Sequence, residues 1–423
     1  MTLKAHLAQL LNTRPEDLGK LFFLWALYLL FSGATQIGDG VTQTLFLKRI
    51  GVEYLPVMFA IKAALDVVVA LIYVPLAARL GHPVTLTLAL ALSGAGLLLL
   101  WLPACQGSEW AYPALYAWNE AGATVLKIHW GVLLLDCFNE VDARRAFPVV
   151  YTGARVGAVL GGLLLTSLAR PLGAANLLPV GAGLFLGSMF LSFSVRRFRL
   201  GHDLDSTHGA TESAAGRISH LRTGLALGVR VPLLRAIALS TLLMVACRYG
   251  LRYEYSAAFA AAFDEADLAT FYGGYMALAN GASIVIQLMI TSRLLVHAGI
   301  TQTNLIYSIA VLAIFAGLGL WPGLLAAVLA RLVENELKAA IKTPLSNLFY
   351  GALPSDQRAP GRAFVLGLMV PAATACASLL LTTTTTMHSI PLWGSGLAVL
   401  YVWATLIQNR SYRRAHEAGG RVG

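Results

Sequence analysis

"RRFRLGHDLDSTHGATESAAGRISHLRTG" (Arg196–Gly224) interrupts a 423-residue chain that is 57% hydrophobic and only 12% charged. Soluble domains carry about 25% charged residues. Half that value over this length, with a mean hydropathy of +0.69, marks an all-α, polytopic membrane protein. The polar run is rich in Gly, Ser, Thr and His and reads as a flexible linker, with a short amphipathic helix near Ile218–Val229. Its position decides the fold. A window of about 19 residues, broken at Pro, Gly and charge clusters, finds spans at 21–47, 54–79, 83–104, 111–136, 147–169 and 174–195 before it. After it come 232–262, 268–295, 301–320, 323–350, 361–383 and 389–408. The predicted architecture is twelve transmembrane helices in two six-helix bundles, 21–195 and 232–408, joined by a linker at 196–231.

The ends are polar. Residues 1–20 place Leu3, Leu7, Leu10 and Leu11 on one side of a helix that would lie on the inner membrane face. The first span is too long, and lacks the small-residue cleavage site, for a cleavable signal peptide. Residues 409–423 form a basic tail. With the N-terminus inside, 20 lysines and arginines fall on inner segments and three (Lys48, Arg49, Arg170) on outer loops. By the positive-inside rule, both termini are expected in the cytoplasm. Topology thus accounts for most of the +10 net charge, and nucleic acid is not an expected partner. The four cysteines, Cys105, Cys137, Cys247 and Cys376, have no metal or redox spacing. No Walker phosphate loop, Ser/His/Asp arrangement or metal cluster stands out, so neither an enzyme nor a cofactor is expected. Transport energy would then come from a gradient or from exchange.

Eight cations remain inside apolar spans: Lys62, Lys127, Arg155, Arg248, Arg252, Arg331, Lys338 and Lys342. A charge at the bilayer centre costs ~3 kcal/mol on insertion scales, so each needs a partner, water or a ligand. The carboxylates at similar depth are Asp39, Asp66, Glu120, Glu254, Glu334 and Glu336. This small cationic surplus points to a polar cavity that receives an anion.

On span four, Glu120, Thr124 and Lys127 share a helix face beside Asn119. They form either an internal ion pair or a substrate or coupling site. On span two, Lys62 and Asp66 stand at i, i+4 and can neutralise one another; Asp39 on span one is a second candidate partner for Lys62. Gly33, Gly38 and Gly40 are expected to loosen span one. Span seven reads "CRYGLRYEYSAAF" (Cys247–Phe259), with Arg248 and Arg252 on one face among Tyr249, Tyr253 and Tyr255. Two guanidiniums without an in-helix counter-ion suit a phosphate or carboxylate ligand, or carboxylates on span ten. Span ten aligns Arg331, Glu334, Asn335, Lys338 and Lys342 on one polar face, Lys342 being placed to snorkel to the inner interface. Arg331, Glu334 and Lys338 are expected to line the cavity. Arg155, in the small-residue helix "YTGARVGAVLGGLL" (Tyr151–Leu164), is a candidate gate residue with Asp136 or Asp142. Asn280, Ser283 and Gln287 suit helix–helix hydrogen bonds, with Asn280 also a substrate-site candidate. His129, alone at mid-span, reads as structurally satisfied.

The halves echo each other. "PLAARLGHP" (Pro75–Pro83) and "TSRLLVHAGI" (Thr291–Ile300) each put an Arg shortly before a Gly in a short turn after the second span of a half. This resembles a degenerate form of the signature between the second and third helices of the major facilitator superfamily, whose bundles are pseudo-symmetric about a midplane site. "EVDARRAFPVVYTGARVGAVLGG" (Glu140–Gly162), with Asp142, Ala143, Arg144, Arg145, Phe147 and Pro148, resembles the fourth-to-fifth-helix region of the nucleotide transporter family, the ATP/ADP translocases and their free-living bacterial relatives. The runs Tyr253–Leu295 and Asn347–Phe364 are similar to that family's seventh and eighth helices and its link into helix eleven. The ATP/ADP exchangers carry an Arg-Asp and a Lys-Asp in the first helix; here Asp39 is kept, with Gly38 and Thr42 at the matching basic positions.

The resemblance implies a bacterial inner-membrane protein, monomeric, that exchanges nucleotides or takes them up with protons. From residues and resemblance together, the expected function is secondary active transport of an organic anion such as a nucleotide or phosphorylated metabolite. Arg248, Arg252, Lys127, Glu120, Tyr249, Arg331, Lys338 and Asn280 would bind substrate, while Asp39, Lys62, Asp66 and Glu334 would serve coupling or internal pairing. A proton-coupled exporter or flippase of an amphipathic solute is one alternative, and a non-transporting membrane sensor or scaffold is another.

Overall fold

The computed structural model describes residues 17–138, 140–198, 223–286, 292–383 and 389–419. Over these described residues it is all-helical, at 94% helix. The helices are α1 Leu18–Arg49, α2 Leu55–Leu80, α3 His82–Cys105, α4 Ala111–Cys137, α5 Glu140–Leu172, α6 Leu178–Ser192 and α7 Pro232–Ala262. They continue as α8 Glu265–Val285, α9 Ser292–Leu320, α10 Leu324–Arg331, α11 Thr343–Gly351, α12 Ser355–Phe364, α13 Val370–Thr383 and α14 Ile390–Gly419. Two π-helical segments, Leu332–Lys342 and Val365–Met369, join α10 to α11 and α12 to α13. Among the described residues, nine helical stretches are long and apolar enough to cross a membrane. Most of the amphipathic segment 1–20, most of the linker and Gln287 lie outside the described residues.

Two compact units emerge. The first takes Met1–Ile50, Val68–Glu212 and Phe263–Gly281; the second takes Gly51–Val67, Ser213–Ala262 and Ala282–Gly423. In the first unit α1 packs along α5 and α6, and α3 along α4 and α6. Small residues allow the closest approach. A Cβ on Gly153 would come within 2.5 Å of the Trp25 carbonyl oxygen, and one on Gly161 within 2.6 Å of the Gly33 carbonyl oxygen. Without lipid-excluding hydrophobic gain, such close van der Waals contact is what drives helix association. Span one is therefore not loosened by its glycines. α1 runs 32 residues without a break, because Gly33 and Gly38 face the Gly157 backbone and the Asn119 side chain instead of freeing the chain.

In the second unit α7 packs against α10, α13 and α14, and α9 against α14. Residues 223–230 are helical, consistent with the short helix expected near the end of the linker. Gly224 and Gly228 abut α12, where a Cβ would meet Phe364 ring or Cβ atoms at 2.6–2.8 Å. The two echoing turns share one backbone shape. Gly81 has φ 75°, ψ 156°, and Gly299 has φ 72°, ψ 171°, a left-handed region that glycine enters at little cost. Gly299 divides Ser292–Leu320 into two helices, so the turn sits where the sequence places it.

Candidate functional site

The second unit gathers the densest charge. Arg248, on α7, donates from Nη2 to Glu334 Oε1 at 2.5 Å, and Tyr255, two turns further along α7, donates to Glu334 Oε2 at 3.4 Å. Glu334 is 3% exposed and Arg248 21%, so the pair is shielded from solvent. Arg252 and Lys338 also lie within coulombic reach of this carboxylate. Three cations therefore converge on Glu334. Aromatic faces hold two of the guanidiniums in the area: Arg252 lies 5.5 Å from the Phe59 ring centre and Arg331 5.5 Å from that of Tyr255. Tyr249 packs on Phe59 with ring centres 4.7 Å apart, which places it beside Arg252. Spans seven and ten were each expected to present such a face, and the structure brings the two together through Arg248 and Glu334.

The π-helical segment changes what span ten presents. Its i→i+5 bonding widens the turn, and such segments recur at functional sites. Positions aligned by α-helical spacing rotate apart along it. Lys342 consequently does not snorkel: it is 4% exposed, donates to Asn304 Oδ1 at 2.7 Å and lies 5.8 Å from the Tyr401 ring centre. Asn304 in turn donates to Asn409 at 3.0 Å, so an amide network receives the buried ammonium. Glu336 accepts a hydrogen bond from Ser283.

In the first unit two charged side chains, Asp39 and Arg155, bond to amide side chains. Asp39 accepts from Asn119 Nδ2 at 2.5 Å, linking α1 to α4. On α4, Glu120 and Thr124 are half-buried and Lys127 is exposed. Arg155 donates to Asn280 Oδ1 at 3.0 Å, joining α5 to α8. Asp136, named with Arg155 as a gate candidate, stands 3.8 Å from His82 Nε2; Asp142 is half-buried near the start of α5. His129 is fully buried and bonded at both ring nitrogens, to Tyr73 at 2.7 Å and to the His82 carbonyl at 2.6 Å. A carbonyl only accepts, so Nε2 carries the proton and Nδ1 receives the tyrosine hydroxyl. In the second unit Lys62 pairs with Asp66 at 3.3 Å, within one helix.

A cluster at one end of the first unit escaped the sequence reading. Lys48, Arg49 and Arg170, the three cations expected on outer loops, all reach α8 or the turn before it. Lys48 donates to the Phe263 carbonyl at 2.8 Å, Arg49 pairs with Glu265 at 2.6 Å and Arg170 with Asp267 at 2.7 Å. Glu265 and Asp267 at a helix start read locally as first-turn acids that suit the helix dipole. Nothing in their spacing pointed to arginines some hundred to two hundred residues away.

Neither a protein-family profile nor a curated protein matches the sequence. The fold does have counterparts. The nucleoside transporter NupG superposes with a TM-score of 0.67 at 13% identity, over 92% of this chain and 98% of its own. A peptide transporter POT in complex with sulfate gives 0.66 at 14% identity, over 94% and 95%. A POT family transporter in complex with 5-aminolevulinic acid gives 0.64 at 13%, over 92% and 95%. At such identities the likeness is one of fold.

Proposed function

We propose that the chain is a secondary active transporter that moves an organic anion by alternating access, through exchange or proton coupling. The observation that carries this is the shielded Arg248–Glu334 bond at 2.5 Å, with Arg252 and Lys338 acting electrostatically on the same carboxylate. An incoming phosphate or carboxylate group would add charge-assisted hydrogen bonds to these cations. In this reading Arg248 and Glu334 form the fixed pair, while Arg252 and Lys338 take the ligand's charge. The fold shared with nucleoside and peptide transporters supports transport. A nucleotide keeps the base and sugar of a nucleoside and adds the anionic group for which these cations are suited. That agrees with the resemblance to nucleotide transporters, with twelve spans arranged six plus six and both termini inside.

The Arg248–Glu334 bond favours one second reading, in which the charges serve as internal pairs of a proton-coupled exporter. Proteoliposome uptake of labelled nucleotides, with and without internal counter-substrate, separates the two. Nucleotide-dependent exchange is expected, and Arg252→Gln or Lys338→Gln should abolish it while the protein stays monodisperse. Undiminished uptake in those folded variants rejects the anion site.

A further inference from the structure

The second unit has another basic recess, away from the ion cluster. A cavity of about 810 Å³ lies where the start of α7, the turn between α11 and α12, and the last turns of α14 come together. Leu233, Leu353 and Pro354 supply an apolar wall, Arg358 and Arg414 supply positive charge, and His416 adds an imidazole. None of the described lining residues is a carboxylate. The volume falls within the range of small-molecule sites, about 300–1,000 Å³.

Two of the polar groups are held in place before any ligand arrives. Arg358 donates from Nε to the Leu353 carbonyl at 2.9 Å and from Nη2 to the Gly351 carbonyl at 3.0 Å. That clamps the guanidinium while leaving N–H donors over, since it carries five. The His416 ring stacks on Tyr412 at 5.9 Å with 8° between planes, and Tyr412 meets Phe349 edge-on at 5.1 Å. Pre-ordered side chains lose less freedom on binding. The three chain ends that form the cavity are those that the arginine distribution assigns to the cytoplasm. On that assignment the recess would face the headgroup layer of the inner leaflet.

We propose that this cavity binds the phosphate of an anionic membrane lipid. Arg358, Arg414 and His416 take the phosphodiester, while Leu233 and Leu353 pack against the glycerol and first acyl methylenes. Basic recesses at the cytoplasmic ends of membrane helices attract anionic headgroups electrostatically. A soluble phosphate shares the polar half of this chemistry but brings nothing for the apolar wall, which is why the lipid is preferred.

The test uses the purified full-length chain in detergent, titrated with phosphatidylglycerol, phosphatidylcholine or glycerol phosphate and followed by native mass spectrometry. Phosphatidylglycerol should bind with about one molecule retained per chain, and phosphatidylcholine should not compete. Arg358 also ties its turn together, so the decisive variant is Arg414→Gln, which leaves both carbonyl clamps in place. It should weaken phosphatidylglycerol binding roughly fivefold, with a larger loss when combined with His416→Gln. Equal retention of the two lipids, or unchanged affinity in Arg414→Gln, overturns the proposal. Displacement of the lipid by glycerol phosphate at matching concentration would assign the recess to a soluble phosphate and overturn the lipid reading.

Discussion

The seam between α1 and α5 and the seam between α7 and the π-helical segment join helices by opposite means. The first brings backbones together at glycines: Gly33, Gly157 and Gly161 leave room for carbonyl oxygens and nothing else. The second is bridged by side chains, Arg248 and Tyr255 bonding to Glu334. A glycine seam is short-ranged and tolerates no added atom. An ionic seam depends on charge balance, so its strength can change when a ligand or proton arrives. The contrast suggests a rigid joint in the first unit and a responsive one in the second.

The largest effect should come from unbalancing the ionic seam. Glu334→Gln keeps the shape and removes the charge that offsets Arg248, and breaking a shielded pair from one side costs about 3–5 kcal/mol. Thermal unfolding in detergent should show this loss, and adding Arg248→Gln in the same chain should restore most of it. A double variant as unstable as the single one would mean that the pair is not what holds the seam. If Arg248 and Glu334 hold each other, the double-mutant cycle must be strongly non-additive.

A smaller effect is expected at the glycine seam. A Cβ at Gly157 would collide with backbone atoms of Leu29, including its carbonyl carbon at 2.8 Å, and backbone cannot rotate away as a side chain would. Overpacking of this kind costs about 1–3 kcal/mol. Gly183, on α6, has nothing within 4 Å of the same added atom. There Gly→Ala should be neutral or stabilise by about 0.5–1 kcal/mol through helix propensity. Opposite signs for Gly157→Ala and Gly183→Ala in one unfolding assay would confirm the close joint. Matching signs would remove it from the comparison.

The two seams also differ in how far the sequence revealed them. Gly153, Gly157 and Gly161 advertise their role through spacing alone, because every fourth position returns to one helix face. That α1 is the partner could not be read from α5. Arg248 and Arg252 announced a need for counter-charge, and span ten was legible as its source. The π-helical widening was not legible: nothing in "LVENELKAAIK" distinguishes i→i+5 from i→i+4 bonding, and so Lys342 was expected at the interface rather than against Asn304. Asp39 shows the same limit. It accepts a hydrogen bond from the neutral Asn119, and a neutral donor leaves no charge pattern to follow.

The Arg49–Glu265 and Arg170–Asp267 cluster of the first unit offers the smallest stability effect and the sharpest test of where motion occurs. Arg49–Glu265 and Arg170–Asp267 are exposed pairs, with the arginine side chains 53% and 67% accessible. Exposed pairs contribute about 0–1 kcal/mol each and weaken with salt. The double variant Glu265→Gln, Asp267→Asn should therefore unfold within about 1–2 kcal/mol of the parent. If α8 must part from the outer ends of α1 and α5 during a transport cycle, releasing the cluster should still change the rate of exchange. Moreover, 1 M salt should bring the parent's rate toward that of the variant, because it screens the same two pairs. A variant that matches the parent in both rate and salt dependence would make these contacts incidental. The responsive joint would then be confined to the second unit, with Arg248 and Glu334.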